Sequence, residues 1–275
     1  LKKSSNQLSV RSIIVFVKLL LVAILLAPLL YNYYLGPFDY RFKYAENRQG
    51  TRASDYIFSV MSSQYPDRAA VPLERSVAYN KRGLYVKGFE LLNKAVAINP
   101  VTSLGYRGYM KLYKVRDYAG ALSDFERLDS LTVNHVDYPM SENIHFLKAI
   151  CLYKLGHIDA CLSSFDDALE TSLPGFVDYK IKLYKAAVLM QMGEYLDSQK
   201  LLRSILQEYP KSSEANYYFA VNLLRSNQLI EAKQYAYLAK RYGQEGYTIT
   251  DAYSELPFAV YPENIEDLIN TIEER

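Results

Sequence analysis

The residues able to do chemistry in this chain are few and poorly spaced for it. His135, His145 and His157 fall in a loop, near the start of a helical pattern and in a turn, so they are read as surface or packing histidines. Cys151 and Cys161 lie ten residues apart. Two cysteines supply neither a disulfide framework nor a four-ligand zinc site, and these two are read as small core hydrophobes. Asp166 and Asp167 are adjacent, which on a helix points their carboxylates ~100° apart rather than toward a shared proton. The chain holds no Gly-x4-Gly-Lys-Ser/Thr phosphate loop, no His-Glu-x-x-His and no Gly-x-Ser-x-Gly elbow. The expectation is a protein that is not an enzyme, with no catalytic residue, cofactor or metal ligand.

What the chain does have is a repeated frame of elements. Gly83-Leu84-Tyr85, Arg116-Asp117-Tyr118, Gly156-His157-Ile158, Gly193-Glu194-Tyr195 and Asn227-Gln228-Leu229 recur at spacings of 33, 40, 37 and 34 residues. Each sits between an apolar helical pattern of about 13 residues and a second amphipathic one. A period of this size means stacked copies of one supersecondary unit. On a 34-residue frame starting at 69, 102, 142, 179 and 213, the eighth place is Ser76, Tyr109, Ala149, Ala186 and Ala220, and the twentieth is Gly88, Ala121, Cys161, Ser198 and Ala232. Small residues there let two antiparallel helices approach closely. The fifteenth place is Gly83, Arg116, Gly156, Gly193 and Asn227, where a helix ends in a left-handed residue.

This frame resembles the tetratricopeptide repeat (TPR) family, best in Gly83 through Pro100 and in Leu155 through Leu169. Unit two departs from it, with Tyr109 at a small place and Arg116 at the turn, and extra residues around 129–141 and 174–178 imply longer loops. The resemblance implies an all-α, right-handed solenoid of about five repeats over 69–246. It also implies that the first helices line a concave groove for a protein partner. On the groove-facing places stand Tyr106, Met110 and Tyr113, then Phe146, Ile150 and Tyr153, then Tyr217, with Lys114, Lys154 and Arg225 among the cations at the thirteenth place. Aromatic side chains and Met anchor protein interfaces, and the cations suit an acidic or extended peptide. The family's carboxylate clamp is not implied, because Leu73 and Val77 occupy two of its places in the first unit.

Upstream, residues 13–31 form an apolar run with Lys18 as its single charge. As a helix it spans about 28 Å, close to the hydrocarbon thickness of a bilayer. Lys18 lies near the N-terminal end, where its stem can snorkel to the headgroups. Tyr31, Tyr33 and Tyr34 follow as an interfacial aromatic belt. The run is long and lacks a small-residue cleavage site, so it is read as an uncleaved transmembrane helix rather than a signal peptide. Residues 1–12 form a basic flank, and 32–68 an aromatic juxtamembrane connector with short helices, the second capped by Ser54. Residues 247–275 hold a linker and a capping helix, with apolar residues at 265, 268, 269 and 272.

The chain of 275 residues carries a net charge of +2, which gives no case for nucleic acid. It begins with Leu rather than Met, so a short preceding piece is expected. Lys2, Lys3 and Arg11 before the span favour an N-terminus inside, with the soluble part across the membrane, in the periplasm if the cell is bacterial. The expected function is a non-catalytic, membrane-anchored scaffold or adaptor with protein partners and no small-molecule substrate. It would be a subunit or assembly factor of a membrane complex of the bacterial envelope type. The alternatives are a cytosol-facing organelle import receptor and a structural subunit held mainly by its membrane helix.

Overall fold

The structure is a computed structural model that describes residues 10–172, 179–251 and 254–275. Every regular element among them is helical. The chain divides after Ser103 into two compact units.

In the first unit, α1 (Val10–Leu30) runs on as a single π-helical turn, Tyr31–Leu35. The apolar stretch Ser12–Leu35 is 24 residues long, and its residues 12–31 are left exposed by the rest of the protein. At 1.5 Å per residue it is about 36 Å long, enough to cross a bilayer. Gly36 and Pro37 end it. The connector then folds as a helix hairpin, α2 (Phe38–Glu46) and α3 (Arg52–Gln64), turning at Gly50 with φ +87°. Thr51, not Ser54, caps α3, its hydroxyl accepting from the Ser54 amide at 3.1 Å. Ser54 is buried in the first turn and donates to the Ala45 carbonyl at 2.8 Å, which binds the two helices together. Ala45, Ile57, Phe58 and Met61 form the core between them, joined by Val71 of α4 (Ala70–Lys81).

Arg41 fastens α1 to this hairpin. It is 1% exposed, and its guanidinium donates to the carbonyls of Tyr33 at 2.6 Å and Tyr34 at 3.1 Å and to Gln64 Oε1. A helix leaves its last carbonyls without partners, and a cation there also meets the negative end of the dipole. Around it, the Tyr31 ring lies 5.2 Å from Tyr40, the Tyr40 hydroxyl donates to Asn32 at 2.7 Å, and the Tyr34 and Tyr56 hydroxyls are hydrogen-bonded. The aromatic belt expected at the membrane edge is therefore also packed on α2 and α3. Lys18 stands exposed on α1. The hairpin α4 and α5 (Tyr85–Ile98) stacks next, turning at Gly83. Asp55 of α3 receives Arg75 Nε at 2.8 Å and the Tyr79 hydroxyl at 3.0 Å. Burial alone would raise its pKa, but these donors outweigh that and hold the carboxyl below the usual range.

The second unit contains α6 (Pro100–Met110, which enters it at Leu104), α7 (Tyr118–Leu131), α8 (Ile144–Lys154), α9 (Ile158–Glu170), α10 (Tyr179–Gln191), α11 (Tyr195–Glu208), α12 (Ser213–Arg225), α13 (Leu229–Gln244) and α14 (Pro262–Glu273). The first eight pair as four hairpins, each packed on the next. Asp117, Asn143 and Ser212 cap α7, α8 and α12 through side-chain oxygens that accept backbone amides. Ala149, Cys161, Ala186, Ser198, Ala220 and Ala232 are all fully buried where paired helices meet, and Ser198 Oγ donates to the Ala186 carbonyl at 2.8 Å. Gly156, Gly193 and Asn227 close their first helices at positive φ, each followed by an amide that bonds five residues back: His157 to Leu152, Glu194 to Leu189, Gln228 to Leu223.

The hairpin of α6 and α7 breaks this register. Its first helix finishes in a π-helical turn, Lys111–Val115, and the Asp117 amide bonds six residues back, to Lys111, at 3.0 Å. One residue is inserted, so the small place belongs to Gly108 rather than Tyr109. A Cβ on Gly108 would stand 2.7 Å from the fully buried Phe125 ring. Arg116 takes the left-handed turn at φ +57° without being Gly. Arg107 grips the buried Asp124 of α7 with two bonds, at 2.8 and 2.6 Å, and Lys111 adds a third contact at 2.9 Å.

The loop expected near 129–141 is present between α7 and α8, with Met140 and Ser141 at positive φ. The one expected at 174–178 lies outside the described residues. α14 packs on α13 and buries Ile265, Leu268, Ile269 and Ile272, the residues its periodicity singled out.

Gly108→Ala should destabilise the protein by about 1–3 kcal/mol, the cost of overpacking a closed core position. Denaturant unfolding in detergent measures it, and a change below about 0.5 kcal/mol, the range of ordinary surface substitutions, would reject the shifted register.

Candidate functional site: the tyrosine wall of the second unit

The first helices α6, α8, α10 and α12 make one wall of this unit. Phe146 of α8 meets Tyr184 of α10 at 5.4 Å, and the Tyr153 hydroxyl of α8 donates to Gln191 of α10 at 2.6 Å. The residues expected to form a groove divide by burial. Met110, Phe146 and Ile150 are 4%, 2% and 0% exposed, so they pack inside the stack and offer no surface. Phe146 lies between Tyr184 and Phe165, and Met110 follows the register shift of α6. Tyr113 is nearly closed off and donates to Glu142 Oε2 at 2.9 Å, while Lys180 pairs with the other oxygen at 2.9 Å. Burial first, and then the Glu142 charge, push the Tyr113 phenol well above its ordinary pKa.

Tyr106, Tyr153, Lys114 and Tyr217 are half-buried, and Lys154 and Arg225 exposed. Tyr153 and Lys154 belong together on the wall, with the Lys154 ammonium 5.5 Å from the Tyr153 ring. Tyr217 sits apart, against Tyr218 at 5.3 Å; burial raises its pKa, and the Asp267 charge on α14 adds to this. Arg225 marks the far end of α12.

The wall is not empty. Residues 254–261, expected to be part of a linker, lie across it. The Phe258 ring is 4.9 Å from Tyr153 and 4.8 Å from Tyr184, and its carbonyl accepts from the Tyr218 hydroxyl at 3.2 Å. Glu255 pairs with Arg116 at the turn after α6. Tyr109, Tyr184, Tyr218 and Arg116 thus join the site, and the repeat frame had assigned none of them to it. The inserted residue in α6 hid Tyr109. The one sequence signal for the crossing segment is the apolar run Leu256-Pro257-Phe258-Ala259-Val260 between Glu255 and the start of α14. Burial pushes the Tyr109 phenol up to about 12, with Glu142 and Asp251 adding to it.

Chemically the wall presents phenols, a few cations and apolar faces. No group of three or more potential metal ligands occurs among the described residues. Cys151 and Cys161 are buried thiols inside one hairpin.

No protein-family model matches the chain, and no curated protein matches it in sequence. Solved structures do. PilW, described as a widely conserved type IV pilus biogenesis factor, superposes with a TM-score of 0.58 at 13% identity, over 72% of this chain and 88% of its own. YrrB, described as a TPR protein with an unusual peptide-binding site, gives 0.54 at 14% identity, over 68% and 93%. Yeast Tom70 gives 0.50 at 15% identity, over 89% of this chain but 51% of its own. The fold is the TPR fold.

Burial pushes both cysteine thiols up to about 12. A maleimide at pH 7.5 should therefore leave Cys151 and Cys161 unlabelled in the native protein and modify both after denaturation, as intact-mass measurement would report. Native labelling at the rate of a free thiol would contradict their placement.

Proposed function

We propose that this protein is a non-catalytic, membrane-anchored scaffold that holds a short non-helical segment of a partner protein on the tyrosine wall of its second unit. The partner belongs to a membrane-associated assembly, and the protein acts as a subunit or assembly factor of it. The observation that carries the reading is that the wall already accommodates a non-helical segment of the chain, which turns at Pro257-Phe258 with the Ala259 amide donating to the Leu256 carbonyl at 3.2 Å. Phe258 occupies a slot formed by three successive first helices. Rigid aromatic side chains around such a segment supply large contact area at low entropic cost.

The anchoring part of the proposal is supported by the 24-residue apolar stretch and by its attachment through Arg41 to the α2–α3 hairpin. Confining a binding module to a bilayer raises its effective concentration toward a partner in the same membrane. The likeness to PilW, a pilus biogenesis factor, supports an envelope setting, and Lys2, Lys3 and Arg11 before the span favour the soluble part across the membrane. The second reading, a domain facing the cytosol, is favoured by the basic residues Arg41, Lys43, Arg48 and Arg52 that follow the span.

Removing residues 1–30 leaves the Tyr33 and Tyr34 carbonyls for Arg41 and should yield a soluble protein that still captures the partner seen with the full chain in mild detergent. Tyr153→Ala in the full chain should weaken that capture about tenfold while leaving the melting temperature within a few degrees. Loss of capture on removing 1–30, with Tyr153→Ala unaffected, would instead mean a subunit held by its membrane helix. Protease accessibility of the domain in intact cells decides between the two topologies.

A further inference from the structure

We propose that residues 254–261 are an internal ligand. They occupy the groove that takes the partner, and the partner presents a turn-forming segment of the same chemistry: an acid, then apolar residues with a proline, then an aromatic. This deepens the scaffold reading above and rests on it.

The path of the chain is the first argument. After α13 the backbone is pinned to the start of α12, where the Ser213 amide donates to the Tyr247 carbonyl at 3.0 Å and the Ile249 amide donates to Glu214 at 2.6 Å. The helix that follows, α14, packs on α13 and α12. Both ends of the segment therefore lie on the last hairpin, and a direct connection would join them. Instead the chain reaches Arg116, at the turn of the first hairpin of this unit, and returns through Phe258. The excursion contributes side-chain recognition rather than connectivity.

The quality of the fit is the second argument. The segment offers the wall a carboxylate, a ring and one carbonyl, the kind of anchors by which peptides are read. Between Leu256, Pro257 and the wall lies a half-open pocket of about 100 Å³, bordered by Leu112, Tyr113, Arg116 and Lys154, so solvent reaches the edge of the contact. The ion pair is exposed on both sides, at 63% for Arg116 and 57% for Glu255. Lys154 and Arg116 leave the end of the groove that holds Glu255 positive, which selects an acidic position in whatever replaces it.

The test uses the full chain in detergent micelles and a fluorescein-labelled peptide with the sequence of Ser254–Tyr261, read by fluorescence anisotropy. Phe258→Ala should free the wall and bind the peptide at least about tenfold more tightly than the wild type, because a competent state that is rarely populated weakens apparent affinity in proportion. Adding Tyr153→Ala should remove that gain. Glu255→Arg disturbs only exposed contacts, the Arg116 pair and the Tyr261 hydroxyl bond at 3.3 Å, so it carries the test should Phe258→Ala fail to fold. It should also raise affinity for the peptide, and a peptide with Arg in place of the acid should bind less well. No gain in either variant, with a melting curve like that of the wild type, overturns the proposal. The scaffold reading falls separately, if partner capture from the same preparations is insensitive to Tyr153→Ala.

Discussion

Everything in this protein follows from how closely two antiparallel helices can approach. At each hairpin of the second unit small residues are withdrawn from solvent: Gly108 lies against Phe125, Ser198 donates to the Ala186 carbonyl, and Ala149, Cys161, Ala220 and Ala232 are fully buried. A side chain one methylene larger at such a place has nowhere to go in an interior packed like an organic crystal. Close approach fixes the hairpin, the hairpin fixes the next stacking surface, and the stack aligns the first helices as a wall. The wall carries tyrosines that the stack holds in place, Tyr113, Tyr184 and Tyr218 nearly closed off and Tyr106, Tyr153 and Tyr217 half-buried.

The same device appears outside the expected repeats. In the first unit, Ala45 and Ser54 meet between α2 and α3, with Ser54 donating across the interface just as Ser198 does between α10 and α11. The juxtamembrane connector thereby becomes a hairpin with its own core, and it has a rigid face on which the end of α1 can rest. Arg41 makes that attachment chemically specific. A buried guanidinium requires acceptors, and the carbonyls that α1 cannot satisfy itself are the ones it receives. The apolar helix is thus continuous with the folded unit rather than joined to it by a flexible tether.

Most of the helices were legible because helix spacing is a periodic signal and periodicity survives without coordinates. Ile265, Leu268, Ile269 and Ile272 are the plainest case, and Gly156 and Gly193 mark their turns by residue type alone. The misread positions share a cause. Ser54 and Thr51 are equally good caps, and only geometry chooses between them. The π-helical turn after Met110 inserts one residue without disturbing the apolar pattern, so Tyr109 looked like a departure when Gly108 was filling the place. The groove residues were assigned from the frame as though nothing covered them. Met110, Phe146 and Ile150 are buried because neighbouring helices close over them, a tertiary effect invisible in any single repeat. Residues 254–261 have no period at all, and nothing local tells an irregular segment where it lies.

That aperiodic segment is also where the energetics are most finely balanced. Burying Phe258 contributes roughly 2–3 kcal/mol and its carbonyl bond about 1 kcal/mol. The Arg116–Glu255 pair is mostly solvated and contributes little more than ~0.5 kcal/mol. Against this stands the cost of ordering the backbone, about 1–2 kcal/mol per residue. The segment makes few anchoring contacts for the residues it orders, whereas a helix hairpin in the stack buries several large apolar side chains for each turn it orders. A contact poised in this way lets go under a modest competitor, while the wall beneath it keeps its shape. The tyrosines are set by the stack, and the segment across them is not, so exchange at this groove requires no rearrangement of the fold.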